Sequence, residues 1–249
     1  MIDCHSHLDD KAFNDEVDAV IASSKSSLKA IVTCASSFHS NQKTLDIVNC
    51  HENYVFGCFG LDPVHCLREE KIRETEDFIR ENIKSVTAIG EVGIDYHWEK
   101  NEISQIRNFE TFIKLSEELN RPLVIHARDS MDEVLRTLDH FSPPSVMMHC
   151  FSGDESQADE CIDRGYFISF NTNSCFIEDR KSLISHVPLD NMLSETDSPY
   201  NHPERKGRNE PVNVVQLIDL ISKIKGESTS NIDKIIDRNA EKAFKIRLV

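Results

Sequence analysis

The sequence lacks the features that mark exported, membrane-spanning or disulfide-bonded proteins. No apolar run approaches the roughly 18 positions that a membrane-spanning helix needs, and the chain begins Met-Ile-Asp-Cys-His, without a basic start or an apolar signal segment. Eight cysteines are present, but no two of them are spaced as C-x-x-C. Because they fall mostly in apolar runs, we expect reduced, buried thiols and a cytoplasmic protein.

Positive charge is also scarce. The chain has 28 Lys and Arg against 43 Asp and Glu, which gives a net charge of -15. A field of this sign repels polyanions, so any nucleic acid must be held locally rather than captured broadly as duplex. No linker, repeat or low-complexity tract divides the 249 residues, so we expect a single domain over residues 1–249. The sequence leaves the oligomeric state open and favours a monomer.

Eight short apolar, β-branched runs alternate with segments of helical spacing. The predicted strands cover residues 1–5, 30–35, 55–60, 86–93, 122–127, 145–151, 166–171 and 191–197. One of the helical stripes between them consists of Ile103, Ile106, Phe109, Phe112, Ile113 and Leu119. Strand and helix alternating eight times in this length predict a (β/α)8 TIM barrel of parallel strands with right-handed connections.

Potential metal ligands stand at the ends of five of these strands. The stretches are Asp3-Cys4-His5-Ser6-His7, Gly90-Glu91-Val92-Gly93, Val124-Ile125-His126, Met148-His149-Cys150 and Glu195-Thr196-Asp197. In a barrel of parallel strands the C-terminal ends meet at one rim, so residues distant in sequence converge there. Together the stretches supply four histidines and two carboxylates, which are enough ligands for two metal ions.

Strand alternation predicts which cysteines stay out of such a site. Successive side chains of a strand point to opposite faces. Cys4 should therefore face away from His5, and Cys150 away from His149. We expect neither thiol to bind metal.

These stretches, read with their neighbours, resemble the TatD family over nearly the whole chain. The matching motifs are Ile2-Asp3-Cys4-His5-Ser6-His7-Leu8-Asp9, Gly90-Glu91-Val92-Gly93-Ile94-Asp95-Tyr96, Pro122-Leu123-Val124-Ile125-His126-Ala127-Arg128-Asp129, His149-Cys150-Phe151-Ser152-Gly153 and Glu195-Thr196-Asp197-Ser198-Pro199-Tyr200, with Gln105, Phe109, Arg208-Asn209-Glu210-Pro211 and Asn239. The resemblance implies a TIM barrel of the metal-dependent hydrolase (amidohydrolase) superfamily. It also implies a divalent-metal deoxyribonuclease, often a 3′–5′ exonuclease on single strands.

The family pattern, carried over residue by residue, implies two metal ions. One would be held by His5, His7, Glu91 and Asp197, and a second, bridged by Glu91, by His126 and His149. The resemblance makes Glu91 and Asp197 the catalytic carboxylates, with Asp197 orienting the attacking water and taking its proton. The identity of the ions stays open, because histidines favour zinc whereas carboxylates and nuclease chemistry fit magnesium or manganese.

Basic and aromatic residues near the predicted rim are candidates for substrate binding. In chain order the basic candidates are His65, His97, Arg128, Arg205 and Arg208. Arg128 closely follows the ligand His126, and the loop that carries His97 also holds Tyr96 and Trp98, which could stack an unpaired base. The expected partner is DNA, either single-stranded or at its ends, and no membrane.

One position departs from the family pattern. TatD proteins usually have a histidine in a Gly-x-His-Pro stretch after the third strand, whereas this chain has Gly60-Leu61-Asp62-Pro63. A carboxylate there would repel a phosphate, so either His65 takes the role or the substrate is not ordinary DNA. Two alternatives therefore remain: a metal-dependent hydrolase of an amide, a lactone or an aminoacyl ester, and a non-catalytic metal-binding interaction protein.

Overall fold

The strands of the computed structural model form one parallel sheet that curls into a nearly closed barrel, as predicted. The structure describes residues 1–65, 68–98 and 101–248. Neighbouring strands in the sheet are also neighbours in sequence, from β1 to β8. The strands are β1 Ile2–Ser6, β2 Ala30–Cys34, β3 Val55–Phe59, β4 Val86–Asp95, β5 Leu123–Arg128, β6 Val146–Met148, β7 Phe167–Asn171 and β8 Met192–Glu195.

Helices follow the strands and surround the barrel. Those within the described residues are α1 Val17–Ser24, α2 Phe38–Cys50, α3 Glu69–Glu81, α4 Glu102–Leu119, α5 Met131–Leu138, α6 Glu155–Asp163, α7 Glu178–His186, α8 Val214–Lys225 and α9 Thr229–Phe244. This alternation confirms the TIM-barrel prediction. None of the described helices combines the length and the hydropathy needed to cross a membrane.

The predicted apolar stripe on α4 packs against the sheet, with one exception. Phe109, Phe112 and Ile113 are almost fully buried in the main core. Ile103, in the first turn of the helix, is instead 82% exposed. The core-facing stripe is therefore shorter than the sequence period indicated.

Two of the predicted strands end earlier than expected. β6 ends at Met148 and β8 at Glu195, so His149 and Asp197 lie in the loops just after their strands. Asp197 has φ 56°, and Cys150, which follows His149, has φ 45°. The backbone therefore turns sharply at both points, and strand alternation no longer fixes the directions of the side chains there.

The barrel closes between β1 and the segment that follows β8. The Asp197 amide donates to the His5 carbonyl over 2.9 Å, and the His7 amide donates to the Ser198 carbonyl over 2.7 Å. Inside this seam the buried Asp3 carboxylate accepts from the Thr196 amide at 2.8 Å and from the Thr196 hydroxyl at 2.5 Å. A buried carboxylate is tolerated only with such partners, so the pair holds the seam together.

We expect Thr196→Val to destabilise the fold by about 1–3 kcal/mol, because the isosteric change leaves the buried Asp3 oxygen without its hydroxyl donor. Thr44→Val is the matched control, since the Thr44 hydroxyl is buried without a hydrogen-bond partner among the described residues. Urea unfolding of both variants measures the effect. Equal free energies of unfolding for the two variants would show that the Asp3 contact does not stabilise the seam.

Candidate metal centre

The six predicted metal ligands gather at the C-terminal rim of the barrel. They come from β1 and its end, from β4 and β5, and from the loops after β6 and β8. Their donor atoms form three groups, each within 4.8 Å: His5 with His149 and Asp197, His5 with His7 and Glu91, and Glu91 with His126 and His149. The structure thus brings together residues from five separate stretches of the chain.

The spacing between donor atoms in the first part of the cluster suits a divalent cation. His5 Nε2 lies 3.2 Å from His7 Nε2 and 3.5 Å from Glu91 Oε2, and His7 Nε2 lies 3.3 Å from Asp197 Oδ1. Ligands at the usual bond lengths around a tetrahedral ion lie about 3.3 Å from one another. These buried nitrogen and carboxylate atoms therefore fit a metal ion.

Glu91 faces the second part of the cluster as well. Its Oε2 atom, which is near His5, also lies 3.6 Å from His149 Nε2. His126 completes the group with these two residues. A carboxylate between two cations screens their mutual repulsion, so this position suits a bridging ligand.

Backbone contacts set the orientation of two ligand-bearing segments. His7 Nδ1 lies 2.8 Å from the Cys34 carbonyl and donates its proton there, which leaves Nε2 free to bind a cation. At Gly93, which pairs with His126 and has φ 147°, an added Cβ would lie 2.0 Å from the His126 carbonyl oxygen. Only glycine allows β4 and β5 to approach this closely, two residues after Glu91.

Burial and charge shift the pKa values of two stacked histidines in opposite directions. The rings of His5 and His149 stack with centroids 3.6 Å apart. Burial, together with the neighbouring histidines, lowers the pKa of His5 well below its ordinary value. Burial opposes protonation of His149 too, but the adjacent Glu195 carboxylate outweighs it and raises the pKa of His149 to about 9. His5 is therefore a neutral ligand, whereas His149 must release a proton to bind metal.

Asp197 is held by an amide network. Asn201 Nδ2 donates to Asp197 Oδ2 over 2.6 Å, and Asn209 Nδ2 donates to the Thr196 carbonyl next to it. Burial alone would raise the pKa of Asp197, but the hydrogen bond with His7 and the nearby histidine charges hold it below its usual range. The carboxylate is therefore ionised and fixed in direction.

Two buried carboxylates that support the ligands were missed in the sequence. Glu195 Oε1 lies 2.9 Å from His149 Nδ1, although the ring N–H does not point at this oxygen closely enough for a hydrogen bond. Asp95 Oδ2 lies 3.0 Å from His126 Nε2. Strand alternation could have found Asp95, which lies four residues after Glu91 on β4 and so shares its strand face. Glu195 stands two residues before the predicted ligand Asp197, but β8 ends at Glu195, so alternation does not relate their directions.

The candidates for substrate binding divide into two sets. Arg128 and His65 line a cleft of about 480 Å³ with Asp62, Trp98 and His126. Arg128 also lines the enclosed cavity of about 300 Å³ that contains His126, His149 and Asp197. His97 lies beside this region, with Nδ1 3.3 Å from Asp129 Oδ2 and its ring against Trp98.

Arg205 and Arg208 lie elsewhere on the rim. Arg205 lines a separate cleft with Lys206, and its guanidinium lies 4.4 Å from the centre of the Phe176 ring. Arg208 contacts two carboxylates, Glu16 at 2.6 Å and Glu210 at 2.8 Å. Neither arginine lines the enclosed cavity that contains His126, His149 and Asp197.

Two further residues of the enclosed cavity depart from the sequence prediction. Cys150 borders the cavity beside His149, so the expectation that it faces away is wrong, because the backbone has left the strand at that point. Its Sγ atom accepts from Asn171 Nδ2 at 2.9 Å, and it belongs to none of the three ligand groups among the described residues. Arg180, on α7, also lines the cavity, and no motif in the sequence pointed to it.

Comparisons with known proteins agree with this geometry. The family model described as TatD related DNase matches residues 2–245. An uncharacterized metal-dependent hydrolase of Methanocaldococcus jannaschii is 35% identical over 248 residues, which cover 99% of this chain and 98% of that protein. Deoxyribonuclease TATDN3 of Homo sapiens is 30% identical over 260 residues, which cover 98% of this chain and 94% of that protein. In fold, the chain is similar to the crystal structure of the TatD homologue YjjV from Escherichia coli, with a TM-score of 0.90 at 20% identity over 99% of this chain and 98% of that one.

We expect Glu195→Gln to weaken metal binding by about 10-fold to 100-fold, because His149 loses the carboxylate that orients its ring. The exposed Glu178, paired with Lys181 at the surface, supplies the control Glu178→Gln. Competition titrations against a chelator measure both affinities. If both variants bind metal as tightly as the unmodified protein, Glu195 does not support the site.

Proposed function

Because this chain belongs to the TatD-related DNase family of metal-dependent hydrolases, we propose that it is a deoxyribonuclease that cleaves phosphodiester bonds of single-stranded DNA, as a 3′–5′ exonuclease. The observation that carries the proposal is the position of Glu91 Oε2, 3.5 Å from His5 Nε2 and 3.6 Å from His149 Nε2. One carboxylate oxygen is thus shared by two histidine sets. That arrangement would allow two ions to be held side by side, where both could act on one phosphodiester.

The residues fit the chemistry of two divalent ions. One ion would be held by His5, His7, Glu91 and Asp197, and the other by Glu91, His126 and His149. Two bound ions would lower the pKa of water and stabilise the attacking and leaving oxygens of a displacement. The histidine-rich donor set favours zinc, and the carboxylates leave manganese and magnesium open.

The protein's own groups position the reactants. Asp197, held through Oδ2 by Asn201, accepts the proton of the attacking water at Oδ1, the oxygen that faces His7. Arg128, at the wall of the cavity, binds the phosphate of the substrate. Arg208 is paired with two carboxylates, which argues for a structural role of that arginine. His97 and Arg205 are placed to contact a longer strand of DNA.

Shape and charge favour a single strand over a duplex. Three of the metal ligands, His126, His149 and Asp197, line a cavity of only about 300 Å³, and the net charge of -15 opposes broad capture of a polyanion. At the mouth, Trp98 is 67% exposed and its ring lies 5.5 Å from the Arg128 guanidinium. An exposed aromatic beside a cation suits stacking of an unpaired base.

The principal alternative, hydrolysis of an amide, a lactone or an aminoacyl ester, draws its support from Asp62 at the rim. In the structure Asp62 Oδ1 accepts from the His65 amide and lies 2.8 Å from His65 Nδ1. The carboxylate is thus paired, and it raises the pKa of His65. This pairing favours a phosphodiester over the alternative, because the raised pKa of His65 favours its cationic form, whose charge offsets that of Asp62. A metal-binding interaction protein without catalysis does not fit a chain of this hydrolase family.

A substrate panel tests the proposal. We expect single-stranded DNA to be hydrolysed from its 3′ end in manganese at matched salt, faster than duplex DNA, RNA, cyclic amides and lactones. Hydrolysis confined to the amides or lactones would support the alternative. Release of nucleotides from the 5′ end would overturn the polarity alone.

We expect Asp197→Asn to lose hydrolysis by two or more orders of magnitude while keeping the fold, because a general base contributes about 10²-fold to 10⁴-fold. The effect is measured by the rate of DNA hydrolysis and by the unfolding transition. Elemental analysis measures the metal content, and we expect two ions per chain in the unmodified protein. Asp190→Asn, at an exposed ion pair with Arg238, is the control. Near-normal turnover of Asp197→Asn would remove this residue from the mechanism.

We expect Asp62→Asn to raise KM for single-stranded DNA at pH 7.5 by roughly threefold to fivefold, since a partly exposed charge pair is worth up to about 1 kcal/mol. Asp62 raises the pKa of His65, so protonated His65 and its binding contribution persist to higher pH and are lost as the pH rises through that value. His65→Gln should have the same effect on KM. A KM that falls in Asp62→Asn would mean that the carboxylate acts by repelling phosphate.

A further inference from the structure

Arginines of this acidic chain are mostly paired with carboxylates. Those with a carboxylate oxygen within 4 Å are Arg73, Arg80, Arg107, Arg136, Arg164, Arg208 and Arg238. Arg128 and Arg180 have no such partner in the described part of the chain. Both line the cavity that contains His126, His149 and Asp197. The two cations beside the metal ligands are therefore left for an anion from outside the chain.

Arg180 is anchored without being neutralised. Its Nη1 atom donates to the Phe151 carbonyl over 2.5 Å, two residues after the ligand His149. A guanidinium has five N–H donors in a planar fork, and this bond uses one of them. The anchored arginine keeps its charge and most of its donors, and its position is fixed at low entropic cost.

The same two arginines also border an open groove outside the cavity. This groove of about 590 Å³ lies between the loop after β5 and α6, and polar residues such as Ser130, Ser152 and Gln157 line it. Arg128 and Arg180 thus stand where the enclosed cavity meets the groove. A strand with one phosphate at the metal ligands can continue past this boundary.

Carboxylates in the groove have partners of their own. Asp132 accepts from Gln157 Nε2 at 2.5 Å, Glu133 lies 2.9 Å from Arg136, and Asp129 lies 3.3 Å from His97 Nδ1. Arg136 offsets the charge of Glu133, and the other two carboxylates are each held by a donor. Arg128 and Arg180 are then the cations of this boundary that have no carboxylate partner among the described residues.

We propose that Arg180, which lies beside Arg128, binds a second phosphate of the nucleic-acid strand, the one next to the phosphate that is hydrolysed. The inference rests on the proposed nuclease function and names how that site holds its substrate. Arginine forks bind phosphate oxygens through paired, charge-assisted hydrogen bonds. Such a contact strengthens the binding of a strand and contributes nothing to a substrate with a single phosphodiester.

Two substrates and two substitutions test this role. The substrates are a ten-nucleotide single strand and bis(p-nitrophenyl) phosphate, which has one phosphodiester and no neighbouring phosphate. Arg180→Gln removes the charge, and Arg180→Lys keeps it. Arg238→Gln, at a surface ion pair outside the groove, is the control.

We expect Arg180→Gln to raise KM for the oligonucleotide about tenfold, the scale of a hydrogen bond to a charged group. For bis(p-nitrophenyl) phosphate, kcat and KM of this variant should stay within about twofold of those of the unmodified protein. The salt dependence of oligonucleotide binding, followed by fluorescence anisotropy without divalent metal, should lose about 0.7 from its logarithmic slope in Arg180→Gln and keep it in Arg180→Lys.

Other results overturn the inference in recognisable ways. An unchanged KM for the oligonucleotide rejects it while leaving the nuclease function intact. Equal losses on both substrates would mean that Arg180 shapes the cavity rather than binding a second phosphate. If the unmodified protein hydrolyses neither substrate, the proposed function fails and the inference fails with it.

Discussion

The candidate site depends on how the barrel closes. The two backbone hydrogen bonds between β1 and the segment after β8 bring His5 and His7, from the beginning of the chain, against Asp197, from the loop after the last strand. Asp3 and Thr196 reinforce the same seam with a buried carboxylate and its two donors. Stability and chemistry are therefore coupled, since a seam that opened would separate the ligands of one ion as well as the edges of the sheet.

A second constraint is electrostatic. Histidine nitrogens and carboxylate oxygens lie buried within 3.2–3.7 Å of one another, and burial of such groups is costly unless an opposite charge joins them. Two divalent ions would satisfy them, so the donor set itself argues for metal. Beside this centre, Arg128 and Arg180 line the cavity without a carboxylate partner among the described residues, so positive charge is left where a phosphate would meet it.

Much of this could be predicted from the sequence, for a physical reason. Parallel strands deliver their C-terminal residues to one rim, so ligand types that recur at strand ends predict a shared site. Asp95 was accessible through the period of two, and Glu195 through its place two residues before Asp197, but their role appears only when His126 and His149 are seen beside them. Arg180 could not be found this way, because it lies on a helix where no strand end fixes its direction. Cys150 was misplaced because a left-handed residue ended the alternation.

The exposed Trp98 at the mouth of the cavity makes the protein its own optical probe. The chain has one tryptophan, so intrinsic indole emission comes from a single place beside Arg128. Occupancy of the mouth can therefore be followed through this emission, since a base stacked on the ring would quench it. A fold that concentrates its fluorescence at the entrance allows ligands to be screened without labels or a known reaction.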